Sequence, residues 1–170
     1  MTGRNQIFLA ICFSSLLVTA CEEQEPIGTT PYSDKPNILL MVVDDMGYSD
    51  LGAFGSEIPT PNLDELAYNG IRLTNFITSA VCSPTRASLL TGVDPHKTGL
   101  GNLLEELSPN QQGQPGYEGY LNERVVTVAS LLRDAGYKTY MTGKWHLGLD
   151  VETSPYARGF DRSFTALTNA

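Results

Sequence analysis

Cys82-Ser83-Pro84-Thr85-Arg86-Ala87-Ser88-Leu89-Leu90-Thr91-Gly92 reads as a helix with both ends marked. Proline is favoured in a first turn, where its missing N–H is not needed, and glycine just past a last one. The spacing therefore predicts a helix that starts at or just after Cys82 and stops at Gly92. Free backbone N–H groups and the helix dipole make such an N-terminus hospitable to negative charge. Arg86 comes one helical turn after Cys82 and is expected to point back at the same spot. The stretch reads as an anion site with a nucleophile inside it.

Upstream, Asn37-Ile38-Leu39-Leu40-Met41-Val42-Val43 is a continuous apolar run, the pattern of a strand buried on both faces in a parallel sheet. It runs into Asp44-Asp45-Met46-Gly47, a turn. Ligand sites in open α/β sheets gather beyond the carboxyl ends of strands. Two adjacent carboxylates there are costly unless a cation neutralises them, although an Asp-rich turn capping the next element fits the same residues. Thr60 and Pro61 open a second helix that closes at Asn69-Gly70. Ile71 to Ile77 then read as a strand leading into the Cys82 turn.

Downstream, residues 101–122 shift to Asn, Gln, Gly, Pro and Tyr, a long irregular loop of the kind that forms a substrate rim. Val125, Val128, Ala129, Leu131, Leu132 and Ala135 recur at helical spacing up to Gly136. Tyr137 to Thr142 read as a short strand ending in Gly143-Lys144-Trp145-His146. In extended chain, Lys144 and His146 share one face and Trp145 takes the other. A lysine beside a histidine suits binding an oxyanion and protonating a leaving alkoxide; alone, the same pair reads as solvated surface. His96, in Asp94-Pro95-His96, reads as a structural or rim residue.

These segments resemble a known family in order. Cys82 to Gly92 fill every defined position of the type I sulfatase signature, Cys-x-Pro-x-Arg-x-x-x-Leu-Thr-Gly. Gly136-Tyr137-x-Thr139-x-x-x-Gly143-Lys144-Trp145-His146 is similar to the second signature. Asp44-Asp45-x-Gly47 is similar to the first metal-ligand segment, and Arg158-Gly159-Phe160-Asp161 to a further landmark, read here as a turn and packing motif. The resemblance implies an α/β fold with a largely parallel sheet flanked by helices, the alkaline-phosphatase-like architecture, incomplete at the C-terminus. It implies hydrolysis of a sulfate ester by a formylglycine made from Cys82, a modification that needs a formylglycine-generating maturation enzyme, with this portion alone expected to be inactive or unstable. Arg86, Lys144 and His146 would neutralise developing charge, Lys144 on the sulfate and His146 near the nucleophile or leaving group. Asp44, Asp45 and residue 82 would hold Ca²⁺, with further Asp/Asn ligands, a second lysine and another histidine expected downstream of Ala170. Two alternatives from the same residues are a phosphomonoester or phosphonate hydrolase and a non-catalytic lipid-anchored remnant.

Composition sets the outer limits. The chain has 170 residues, enough for one compact core, and its 41% hydrophobic content suits a globular protein. A net charge of −8 argues against nucleic acid as a partner. Residues 1–20 read as a signal segment, with Arg4 ahead of an apolar stretch from Ile7 to Val18. Val18-Thr19-Ala20-Cys21 resembles a lipobox, implying a lipid on Cys21 and membrane attachment; an ordinary signal cut near Ala20 is the alternative. Residues 21–35 read as a polar tether and 36–170 as the N-terminal part of a catalytic domain. The expected location is outside the cytoplasm, in a bacterial periplasm or at a cell surface. Of three cysteines, Cys12 leaves with the signal and Cys21 is lipidated, so Cys82 has no disulfide partner.

Overall fold

The computed structural model describes residues 35–168. The expected signal segment (1–20) lies outside them, as does the tether (21–35) apart from Lys35. Contacts divide the chain into two units, residues 1–42 and 43–170. In the first, the described residues 35–42 form no helix or strand and are exposed.

That corrects the expected strand over Asn37–Val43. Leu39 is 82% exposed, and no ladder partner falls to the run among the described residues. A segment apolar on both faces becomes an interior strand only when strands on either side close its backbone hydrogen bonds. The strand expected over Ile71–Ile77 is absent for the same reason, and both end residues are exposed.

Among the described residues the second unit carries four α-helices and two strands, besides short 3-10 turns: α1 (Pro61–Asn69), α2 (Cys82–Thr91), α3 (Pro95–Thr98), α4 (Val128–Asp134), β1 (Tyr140–Lys144) and β2 (Arg162–Ala166). Local chemistry explains the helix ends. Pro61 opens α1, where the Thr60 hydroxyl accepts from Gly52 N at 2.9 Å and donates to Asp64 at 2.8 Å. Gly92 closes α2 with φ 69°, a conformation that costs a residue bearing a Cβ, and its N–H returns to the Ser88 carbonyl at 2.7 Å. Thr127 caps α4 by accepting from Ser130 N at 3.1 Å, so this helix starts three residues after Val125.

β1 and β2 pair in parallel, Tyr140 against Arg162 through Lys144 against Ala166. The ladder extends one bond further, with Trp145 N donating to Ala166 O at 2.8 Å. The observed β1 lies three residues beyond the expected Tyr137 start and carries Lys144 at its end. With a parallel strand pair and these helices in one unit, the architecture is the α/β type expected.

Ala87 and Leu90 of α2 meet Leu100, Leu121, Ala129, Trp145, Leu147 and Phe160 in one core. Trp145 is fully buried, edge-on to Phe160 at 6.3 Å, and its Nε1 donates to Thr153 O at 2.9 Å. Burying an indole this completely, with its N–H satisfied, is a large share of a small core's stability. The Arg158–Asp161 landmark is indeed a turn and packing motif. Gly159 has φ 104° and sits so close to α4 that a Cβ would lie 2.5 Å from Ser130 N. Asp161 accepts from Thr139 N at 3.0 Å, which ties the entry of β1 to that of β2.

Candidate active site

The start of α2 and the end of β1 converge. Lys144 Nζ lies 3.3 Å from Cys82 Sγ, and His146 Nδ1 lies 3.3 Å from the same sulfur. Trp145 between them is buried on the other side, as the period of an extended chain requires. His146 holds a left-handed backbone (φ 54°), unusual for a residue with a side chain. Ser83, buried next to Cys82, donates from its hydroxyl to the His146 carbonyl at 2.8 Å and fixes that turn.

Arg86 reaches this region by a route that helix spacing did not suggest. Its Nε donates to Trp145 O at 3.0 Å, and its Nη2 donates to Lys144 O. Two donors expected to face the anion spot instead clamp the backbone of the Lys144–His146 segment to α2. Backbone carbonyls at a strand end lack ladder partners, and a planar guanidinium satisfies two of them from one side. Burial pulls the guanidinium below its usual range, while Asp44 and Cys82 act in the opposite direction.

Asp44 comes from the turn after residue 43. Its Oδ2 accepts from Lys144 Nζ at 2.7 Å, and this hydrogen bond holds its carboxyl below the ordinary carboxylate range. For Lys144, burial works against the charged form, but the bonds to Asp44 and Cys82 outweigh it and the ammonium is raised. Asp45, with φ 54°, is the other non-glycine residue in the left-handed region among those described.

The residues expected to hold Ca²⁺ do not amount to a site for it. Among the described residues no three His, Cys, Asp or Glu side chains group around one point. One Asp44 oxygen is already taken by an ammonium. Ca²⁺ requires about six to eight oxygens at roughly 2.3–2.6 Å. Asp44, Asp45 and residue 82 fall short of that number.

One participant carried no signal in the sequence. Glu105 Oε1 lies 3.1 Å from His146 Nε2, across the ring from Cys82. It sits in a 3-10 turn (Leu104–Glu106) inside the long loop, which shows neither helical nor strand period. The loop is pinned at both ends: Gly101 N donates to Gly116 O at 2.8 Å, and Leu121 N donates to Leu147 O at 2.8 Å. A 610 Å³ cavity opens along it, lined by Leu104, Gln112, Tyr117, Glu118 and Arg124, and none of Cys82, Lys144 or His146 lines it. His96, in the short helix α3, packs against Tyr117 of the long loop, Nε2 to hydroxyl 3.2 Å, outside the Cys82 cluster.

Comparison with known proteins identifies the family. The sulfatase family model matches residues 36–170. An uncharacterised sulfatase of Schizosaccharomyces pombe is 54% identical over 138 residues, covering 79% of this chain and 25% of that protein. The arylsulfatase of Klebsiella aerogenes is 44% identical over 131 residues, covering 77% and 28%. The crystal structure of the PsFucS1 sulfatase from Pseudoalteromonas sp. superposes with a TM-score of 0.66 at 36% identity, covering 80% and 26%. The chain thus spans about a quarter of the length of the curated relatives it matches. The fold is that of these sulfatases, the alkaline-phosphatase-like architecture, in part. A matching model over most of its length, and a helix start and strand end that meet at Cys82, place this chain in the sulfatase family.

Proposed function

We propose that this chain provides the nucleophile-bearing part of an enzyme that hydrolyses sulfate esters, with position 82 as the attacking group after conversion to formylglycine. The carrying observation is the meeting of Lys144 Nζ and His146 Nδ1 at 3.3 Å each from Cys82 Sγ, at a helix N-terminus. An aldehyde hydrate at position 82 supplies one hydroxyl to attack sulfur and a second to expel sulfate afterwards, which a plain alcohol cannot do.

The surrounding residues suit that chemistry. Lys144 presents its ammonium at the position where a tetrahedral anion meets residue 82, and the first N–H groups of α2 add donors to the same place. His146 offers a ring nitrogen at hydrogen-bond distance from position 82, the geometry needed to hold or return a proton there. Arg86 keeps the segment carrying both groups against α2. The described residues do not by themselves complete a site for Ca²⁺. The lipobox-like Val18–Cys21 and the tether after it support a lipid-anchored protein outside the cytoplasm.

Mass spectrometry of the tryptic peptide Leu73–Arg86, from protein made in the native host, tests the reading. The expected mass is that of the aldehyde in place of the thiol. A fully unmodified Cys82 in active, native protein would overturn the assignment of position 82. Turnover of an aryl sulfate in preference to the matching phosphate ester tests the sulfate assignment separately.

A further inference from the structure

The geometry points to Glu105 as a positioning residue that sets which nitrogen of His146 carries the proton, and so leaves the nitrogen facing position 82 free to accept; the inference rests on the proposed reading of this site. A neutral imidazole has one N–H and one lone pair, on opposite nitrogens. A carboxylate only accepts. With Glu105 Oε1 at 3.1 Å from Nε2, the proton belongs on Nε2, and the lone pair of Nδ1 is left facing residue 82 at 3.3 Å.

The pattern is consistent around position 82. Lys144 Nζ only donates, so position 82 receives a hydrogen bond from Lys144 and can give its own proton to Nδ1. The opposite tautomer would turn the Nε2 lone pair toward a carboxylate, two acceptors face to face. It would also leave both Lys144 and the Nδ1–H donating to position 82, with no acceptor for that group's proton. Water has little room to correct such a mismatch, because the His146 side chain is only 9% exposed. The ring is held from behind as well, through the Ser83 bond to the His146 carbonyl.

Glu105 is itself delivered by a braced turn. Asn102 accepts from Leu103 N at 2.9 Å through its Oδ1, and its Nδ2 donates to Glu106 O at 3.2 Å. This side chain therefore spans the Leu104–Glu106 turn from one end to the other. The loop that looked like rim in the sequence thus reaches the Cys82 cluster through one carboxylate.

The test reads the tautomer directly. The full chain is labelled with ¹⁵N-histidine, left unconverted at Cys82, and studied by long-range ¹H–¹⁵N correlation, with His146 identified by its loss in His146→Gln. The wild-type ring is expected as the Nε2–H form, and Glu105→Ala is expected to lose that preference. In the converted enzyme, Glu105→Ala is expected to lower kcat for an aryl sulfate about tenfold with little change in KM. Glu105→Gln should retain more of kcat, since its amide oxygen can still accept the Nε2–H. With the Glu105 side chain 46% exposed, the Gln variant leaves packing intact and separates positioning from folding. An Nδ1–H ring in the wild type, or an Nε2–H ring that persists in Glu105→Ala, overturns the proposal. A tautomer change on Glu105→Ala, together with no sulfate turnover by protein shown to be converted at position 82, supports the positioning role and sinks the sulfatase reading instead.

Discussion

Ser83 shows how much one small side chain can hold at this site. It is 1% exposed, and its hydroxyl bonds the carbonyl of a histidine whose backbone sits at φ 54°. Removing the donor leaves a buried acceptor without it, which costs about 1–3 kcal/mol. Ser83→Ala is therefore expected to lower the unfolding free energy by that amount, seen as a lower denaturant midpoint at an unchanged m-value, since no extra surface is exposed. An unchanged midpoint would mean that the His146 turn holds without Ser83. The residues named from sequence at this site divide by how they act. Lys144 and His146 were legible because a period of two fixes their shared face. The Arg86 clamp was not, since its acceptors are backbone carbonyls 58 and 59 positions away. Glu105 was not legible either: its partner lies 41 positions along the chain, and nothing local marks it.

The elements themselves show where local chemistry suffices. α1 and α2 fall where Pro61, Gly70, Pro84 and Gly92 place them, because capping is settled within a few residues. The strands expected at 37–43 and 71–77 failed because a strand exists only with a partner, and partners are not local. The long loop resolves into an ordered piece whose ties can be tested through Glu118. Burial works against the ionised Glu118, but the bonds from Arg124 at 2.7 Å and Gly116 N at 2.8 Å win, and its carboxyl is lowered from the ordinary 4.5. A lowered carboxyl contributes stability that is present above the unfolded value and lost as pH falls through the folded one. Thermal melts from pH 6 down to pH 3 should show Glu118→Gln losing less stability on acidification than the wild type. The difference should be small, under about 1 kcal/mol, because Arg124 is more than half exposed. Parallel melting curves would remove Glu118 from the account of this loop.

For the molecule as a whole, surface and site carry the same message. Ile38, Leu39, Ile71, Ile77 and Phe164 are all more than half exposed, a large apolar area for a chain of this size. The Asp44-Asp45 turn likewise offers too few oxygens for the ion its sequence suggests. Calorimetric titration of the 170-residue chain with Ca²⁺ is expected to show no site tighter than about 1 mM, the weak end of protein calcium sites. Micromolar binding would mean that Asp45 and its neighbours complete a shell around the ion in solution.

The sequence distances across the Cys82 cluster have a consequence in time. Lys144 and His146 lie 62 and 64 positions after Cys82. A ribosome adding about 5–20 residues per second makes Cys82 roughly 3–12 seconds before either of them. For that interval the nascent thiol has its own helix sequence and neither of these partners. Chemistry that reads the linear stretch from Cys82 to Gly92 can act before the cluster assembles, while chemistry that needs the cluster must wait.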